Sequence, residues 1–220
     1  RRESKMEATR ILLVRHGESE GNVLNVFTGH RAYPLTPMGH QQAAITAQYI
    51  KTHYTVDAVY SSDLPRAFQT AEHIALGYDL PIVTDSVLRE LYGGQWENME
   101  FSQLPEQYPA DFSVWSNDTI HARCTGGESV LELTDRVVTG IKKIAGKHPG
   151  QTLVMVTHAT PIRTALWRIS QSPEDAFQTT HFGCNCAVSE LVFENGMLSI
   201  VSANYTEHLQ GCKTQLPSNI

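Results

Sequence analysis

Four apolar residues, Ile11-Leu12-Leu13-Val14, run without a break into Arg15-His16-Gly17. A short apolar run with no polar alternation fits a strand buried on both faces, inside a parallel sheet flanked by helices. Gly17 marks the turn that ends it. A guanidinium and an imidazole therefore leave the sheet together at a strand's carboxyl end, where open α/β sheets place their ligands. That position suits an anion that a neutral imidazole can attack.

Strand and helix signals alternate along the rest of the chain. Strands are expected at 10–14, 57–60, 81–84, 152–156, 187–193 and 198–203, and helices at 37–51, 64–76, 130–147 and 161–170. Thr36 and Pro37 read as the start of the first helix, and Ser62-Asp63 as the capped approach to the second. Gly140 risks a break in the third. Asn195-Gly196 predicts an antiparallel hairpin between the last two strands. Residues 91–128 mix Gly, Pro, Trp and Tyr and read as an insertion with short helices. The expected fold is a three-layer α/β/α domain. It has a mainly parallel central sheet, one antiparallel edge strand, and the insertion covering the active site.

A chain of 220 residues with 41% hydrophobic and 18% charged residues supports one hydrophobic core. A single domain is expected over 6–208. Residues 1–5 are set apart as an added remnant or disordered start, and 209–220 as a C-terminal tail. The net charge of -6 excludes a general nucleic-acid binder but leaves room for a small anionic ligand. No apolar stretch is long enough to span a bilayer, and no signal peptide is evident. Cys124, Cys184, Cys186 and Cys212 lack the paired spacing of a zinc site. They read as reduced thiols, one or two of them buried, in a cytoplasmic protein without a bound metal.

Three strand ends carry chemistry. The first ends in Arg15-His16, another leads through Ser61-Ser62-Asp63 to Arg66, and a third ends in His158. Each group alone reads as a surface or capping side chain. Brought to one crevice, two guanidinium forks and two imidazoles suit a phosphate.

These segments resemble the histidine phosphatase superfamily, also called phosphoglycerate mutase-like. The resemblance is carried by Arg15-His16-Gly17-Glu18-Ser19, Pro34-Leu35-Thr36-Pro37-Met38-Gly39-His40, Ser61-Ser62-Asp63-Leu64-Pro65-Arg66-Ala67 and Leu88-Arg89-Glu90-Leu91-Tyr92-Gly93. Gly126-Gly127-Glu128-Ser129 and Val156-Thr157-His158-Ala159-Thr160-Pro161-Ile162-Arg163 continue it in order. It implies a phosphomonoester hydrolase, without a cofactor, acting through a phosphohistidine on His16. Arg15, Arg66 and His158 are implied to hold the phosphoryl oxygens, and Glu90 to act as general acid and base. Asn22 is implied to contact the phosphate, and Thr28, Gly29 and Ala159 to line the substrate site. Glu18 and Ser19 are expected to support the first turn, and Arg163 to be a helix-side ion-pair partner. A small phosphorylated metabolite is the expected partner, with the oligomeric state open.

Several positions depart from the family pattern. Ala159-Thr160 replaces a frequent Gly-Gly, and Tyr33 stands where Asp is common. The stretch Asn25-Val26-Phe27-Thr28-Gly29 is mutase-like, yet residues 90–99 lack the basic residues that grip a phosphoglycerate carboxylate. Hydrolysis is therefore favoured. A cofactor-dependent phosphoglycerate mutase and a non-catalytic phosphate-binding module stand as alternatives.

Overall fold

In the computed structural model, which describes residues 7–214, the apolar run is strand β1 (Thr9–Arg15), inside a six-stranded sheet. The elements that follow are α1 (Glu20–Val23), α2 (Pro37–His53), β2 (Ala58–Ser61), α3 (Pro65–Leu76), β3 (Ile82–Thr84), α4 (Leu104–Gln107) and α5 (Pro109–Asn117). The chain then forms α6 (Val130–Ala145), β4 (Thr152–Thr157), α7 (Ala159–Ser170), β5 (Val188–Glu194) and β6 (Met197–Tyr205). The sheet order is β3-β2-β4-β1-β5-β6. The first four of these run parallel, and the β5–β6 hairpin closes the edge with antiparallel pairing.

The alternation of side chains along a strand explains why Ile11 to Val14 are all apolar. Ile11 and Leu13 pack into one core with α6 and α7, while Leu12 and Val14 pack into the other with α2 and α3. β4 divides in the same way, Leu153 and Met155 to one side and Val154 and Val156 to the other. A sheet covered on both faces needs such runs.

The local signals have physical counterparts. Thr36 caps α2, its hydroxyl accepting from the Gly39 N–H, with Pro37 in the first turn. Ser129 and Glu132 form a capping box at the start of α6. Asn195 and Gly196 have φ of 53° and 78°, the paired positive values that a tight hairpin requires. The insertion holds α4, α5 and short 3₁₀ turns around the fully buried Trp96.

Other expectations need correction. α6 runs through Gly140 without a break, and the glycine serves packing instead: a β-carbon there would collide with Val87, so its absence admits a close approach between α6 and residues 86–88. The expected cap of α3 is not made: Leu64 occupies the capping position without a side-chain bond, since Asp63 pairs with Arg89 and Ser62 turns to His158. α7 begins at Ala159, two residues earlier than expected. All four cysteines are free, and three of them are buried rather than one or two. In the segment set apart as a tail, Leu209 is buried and Cys212 and Thr214 accept from the Gln42 amide. Residues 1–6 and 215–220 lie outside the described residues, and with them the whole first segment set apart and the second half of the tail. No described helix is long and apolar enough to cross a membrane.

The turn after β1 packs against the first turn of α2. A β-carbon on Gly39 would overlap the Glu18 carbonyl oxygen, which is backbone and cannot rotate away. Gly39→Ala is expected to lower unfolding free energy by about 1–3 kcal/mol. Urea denaturation measures the change, and an unaltered midpoint would refute the close-packing argument.

Candidate active site

Strand register builds the site. Arg15 of β1 lies opposite Thr157 of β4, so the next residue on each strand is a histidine. His16 donates its backbone N–H to the Thr157 carbonyl at 3.0 Å, and the His16 and His158 ring centroids are 5.1 Å apart. On the other side of β4, Ser61 of β2 faces Val156, which brings Ser62 and the start of α3 to the same edge. Arg66, in the first turn of α3, is fully buried there.

His16 is held in one chemical form. Its Nδ1 is 2.6 Å from the Gly17 carbonyl oxygen, an atom that can only accept, so Nδ1 carries the proton. Its Nε2 is 3.3 Å from Arg66 Nε, whose N–H can only donate, so Nε2 presents a lone pair. Burial, then the charges of Arg66 and Arg15, hold His16 well below the usual imidazole range. The ring is therefore neutral at physiological pH, with Nε2 free of a proton.

The cations around it are fixed by backbone carbonyls. Arg66 donates to Arg31 O at 3.0 Å and Gly29 O at 2.8 Å, and burial pushes its pKa down to about 10. Arg15 donates to Gly183 O at 2.6 Å, and its buried Nε has no hydrogen-bond partner. His158 Nε2 lies 2.8 Å from the Ser62 hydroxyl, and its buried Nδ1 has no partner. Burial first, then Arg66, holds His158 well below the ordinary imidazole range. Such unsatisfied buried polar atoms clustered around one ring mark a place for a polar ligand.

Asn22 and Glu90 join the same site. Asn22 accepts at Oδ1 from Ser19, as part of the α1 capping box, and from Asn185 Nδ2 at 3.2 Å. Glu90 accepts from the Leu91 N–H at 2.8 Å and from the Thr160 N–H at 3.4 Å in the first turn of α7. It has no pairing with Arg89, which points outward to Asp63. The Glu90 main chain is gripped by Arg136 of α6, which donates to the carbonyls of Val87, Arg89 and Glu90 while pairing with Glu128.

Arg15, His16, Asn22, Thr28, Gly29, Glu90 and Ala159 line one cavity of about 760 Å³, with Arg66 and His158 placed behind and beside His16. Phe101, Phe112 and Trp115 of the insertion form one wall. Glu18 accepts from the Thr36 and Thr214 hydroxyls and Ser19 caps α1, as expected of supports. Arg163 is not the ion-pair partner expected: it lines the cavity, with its guanidinium over the rings of Phe177 and Phe182 and no carboxylate beside it. Among the described residues, no group of three or more His, Cys, Asp or Glu is arranged to hold a metal ion.

Four contributors escaped the sequence reading: Ser62 on His158, Asn185 on the His16 carbonyl and Asn22, Arg136 behind Glu90, and Arg163 in the far wall. Ser62 stands within the motif Ser61–Ala67, and Arg163 ends the motif that begins at Val156. Asn185 and Arg136 carried no local signal, since both act through backbone contacts distant in the chain.

Comparison with known proteins places the chain in one family along most of its length. The profile of the histidine phosphatase superfamily (branch 1) matches residues 11–206. Phosphoserine phosphatase 1 of Hydrogenobacter thermophilus is 31% identical over 201 residues, covering 91% of this chain and 94% of that protein. Phosphoglycerate mutase-like protein 4 of Arabidopsis thaliana is 35% identical over 164 residues, covering 74% and 71%. The structure of Bacillus stearothermophilus YhfR superposes with a TM-score of 0.87 at 25% identity, covering 92% of this chain and all of that one.

The depressed imidazoles make stability depend on pH. Below about pH 6.5 the unfolded chain takes up protons on His16 and His158 that the folded chain refuses. Stability is therefore expected to fall as pH drops below 6.5, by up to about 1.4 kcal/mol per pH unit for each ring. Urea midpoints between pH 7 and 5 measure the slope. His158→Gln is expected to flatten it, and an unchanged slope would mean that the ring titrates normally in the folded protein.

Proposed function

The chain belongs to the histidine phosphatase superfamily, branch 1, and from that membership we propose that it hydrolyses small phosphomonoesters through a phosphohistidine on His16. The observation that carries this reading is the state of the His16 ring, with Nδ1 donating to a carbonyl and Nε2 held open by a guanidinium N–H. A binding module needs no such nucleophile.

In the first step, Nε2 of His16 forms a bond to phosphorus while the bond from phosphorus to the ester oxygen breaks. Glu90 gives its proton to that departing oxygen. In the second step, water attacks the phosphorus, Glu90 takes the water's proton, and the N–P bond breaks to release phosphate. Arg15, Arg66, the Nδ1 side of His158 and the Asn22 amide receive the phosphoryl oxygens. The Ala159 N–H, at the start of α7, adds a backbone donor and a positive dipole end. Because phosphoryl transfer depends mostly on alignment and charge stabilisation, donors fixed in advance by Gly29, Arg31 and Gly183 suit the task.

Arg136 is a positioning residue in this scheme. It touches the Glu90 carbonyl, not the reacting atoms, and so sets where the carboxyl group stands.

Incubation with a ³²P-labelled phosphomonoester and rapid quenching is expected to label wild type in acid-labile form and leave His16→Ala unlabelled. Equal labelling of both would overturn the proposal, as would fast interconversion of phosphoglycerates with little free phosphate. Glu90→Gln is expected to slow alkyl ester cleavage about 10²–10⁴-fold. It should slow p-nitrophenyl phosphate far less, because that leaving group needs no proton. Arg136→Met is expected to show the same selectivity in weaker form, and Arg136→Lys part of the recovery. Equal slowing on both esters would assign Arg136 to folding alone.

A further inference from the structure

The cavity wall holds, besides Arg15, a guanidinium that the hydrolytic scheme does not use. Arg163 is 7% exposed, its Nε is buried without a partner, and both of its hydrogen bonds leave from Nη2, to Phe177 O at 2.7 Å and Gln178 O at 3.5 Å. Its ring contacts are face-on, with the guanidinium carbon 4.2 Å from the Phe177 centroid and 4.6 Å from that of Phe182. Burial pushes its pKa down to about 10, and among the described residues no carboxylate lies near enough to raise it. A buried cation without an anion is unfavourable, and aromatic faces offset only part of the cost.

The other two guanidinium groups in the site feel Glu90, but Arg163 does not. It also lies four residues after Ala159 on α7, so both face the same side of the helix, about 6 Å apart along its axis. The cavity between is far larger than a three-carbon alcohol fills, and Phe112 and Trp115 give it an apolar flank.

We propose that Arg163 binds a carboxylate on the alcohol portion of the substrate, so that the preferred phosphomonoester carries a flat or apolar body with an acid group about one helical turn from the phosphoryl group. The proposal rests on the hydrolytic reading of the same site. Phosphate lies against Arg15, Arg66 and His16, the apolar body against Trp115 and Phe112, and the carboxylate against Arg163. This assigns Arg163 a specificity role that its place beyond the second histidine did not suggest.

The test compares 4-carboxyphenyl phosphate with 4-carbamoylphenyl phosphate, which match in size and differ in charge. Wild type is expected to favour the carboxylate at least ten-fold in kcat/KM, chiefly through KM, and the preference is expected to shrink as salt rises. Arg163→Met is expected to bring the ratio to about one, and Arg163→Lys to keep part of it. A wild-type ratio near one, or a ratio that Arg163→Met leaves unchanged, overturns the proposal. Should Arg163→Met fail to fold, the wild-type ratio still decides. Calorimetric binding of 4-hydroxybenzoate against 4-hydroxybenzamide separates the two readings. If neither ester releases phosphate but the acid binds at least ten-fold tighter, hydrolysis fails and the carboxylate site stands. If phosphate is released without discrimination, the converse holds.

Discussion

The register between β1 and β4, with Arg15 opposite Thr157, is the constraint on which the site depends. It sets two imidazoles side by side at the sheet's edge without any loop having to find its partner. A slip of one residue would move one ring away from the other and turn every apolar side chain of β1 toward the wrong core. The division of Ile11 and Leu13 from Leu12 and Val14 between two cores resists that slip. Hydrophobic packing on both faces of a strand thereby fixes the position of the His16 ring beyond its end.

Electrostatics then acts within a small volume. The chain as a whole is negative, yet Arg15 and Arg163 line the cavity and Arg66 lies buried behind His16, with Glu90 as a nearby anion of Arg15 and Arg66. Backbone carbonyls tether Arg15 and Arg66, which keeps the guanidinium groups from turning toward solvent before a ligand arrives. Arg15 Nε and His158 Nδ1 stay without partners among the described residues. Local order, and not net charge, prepares the site for an anion.

Much of this was legible from residues alone, because strand ends, capping residues and Asn195-Gly196 act over a few positions. The order in which β2, β4 and β1 lie together needed the whole sheet. Helix α7 starts at Ala159 because His158 takes the capping position, a consequence of where β4 ends rather than of the proline at 161. Arg163 was misjudged because helix spacing says which face a side chain occupies but not what faces it. Its neighbours, Phe177 and Phe182, belong to a segment with no periodic pattern. Arg136 and Asn185 were hidden for a related reason: each grips main-chain oxygens, and main chain leaves no mark in a sequence.

Gln178 ties two walls of the cavity together. Its carbonyl accepts from the N–H and hydroxyl of Thr119, and its amide donates to Ser116 O at 2.9 Å. Gln178 thus ties the insertion to the segment under Arg163, beside the contact between His121 and Glu174 at 3.5 Å. Widening the mouth on either side strains the same three contacts, so the two walls are mechanically coupled rather than independent.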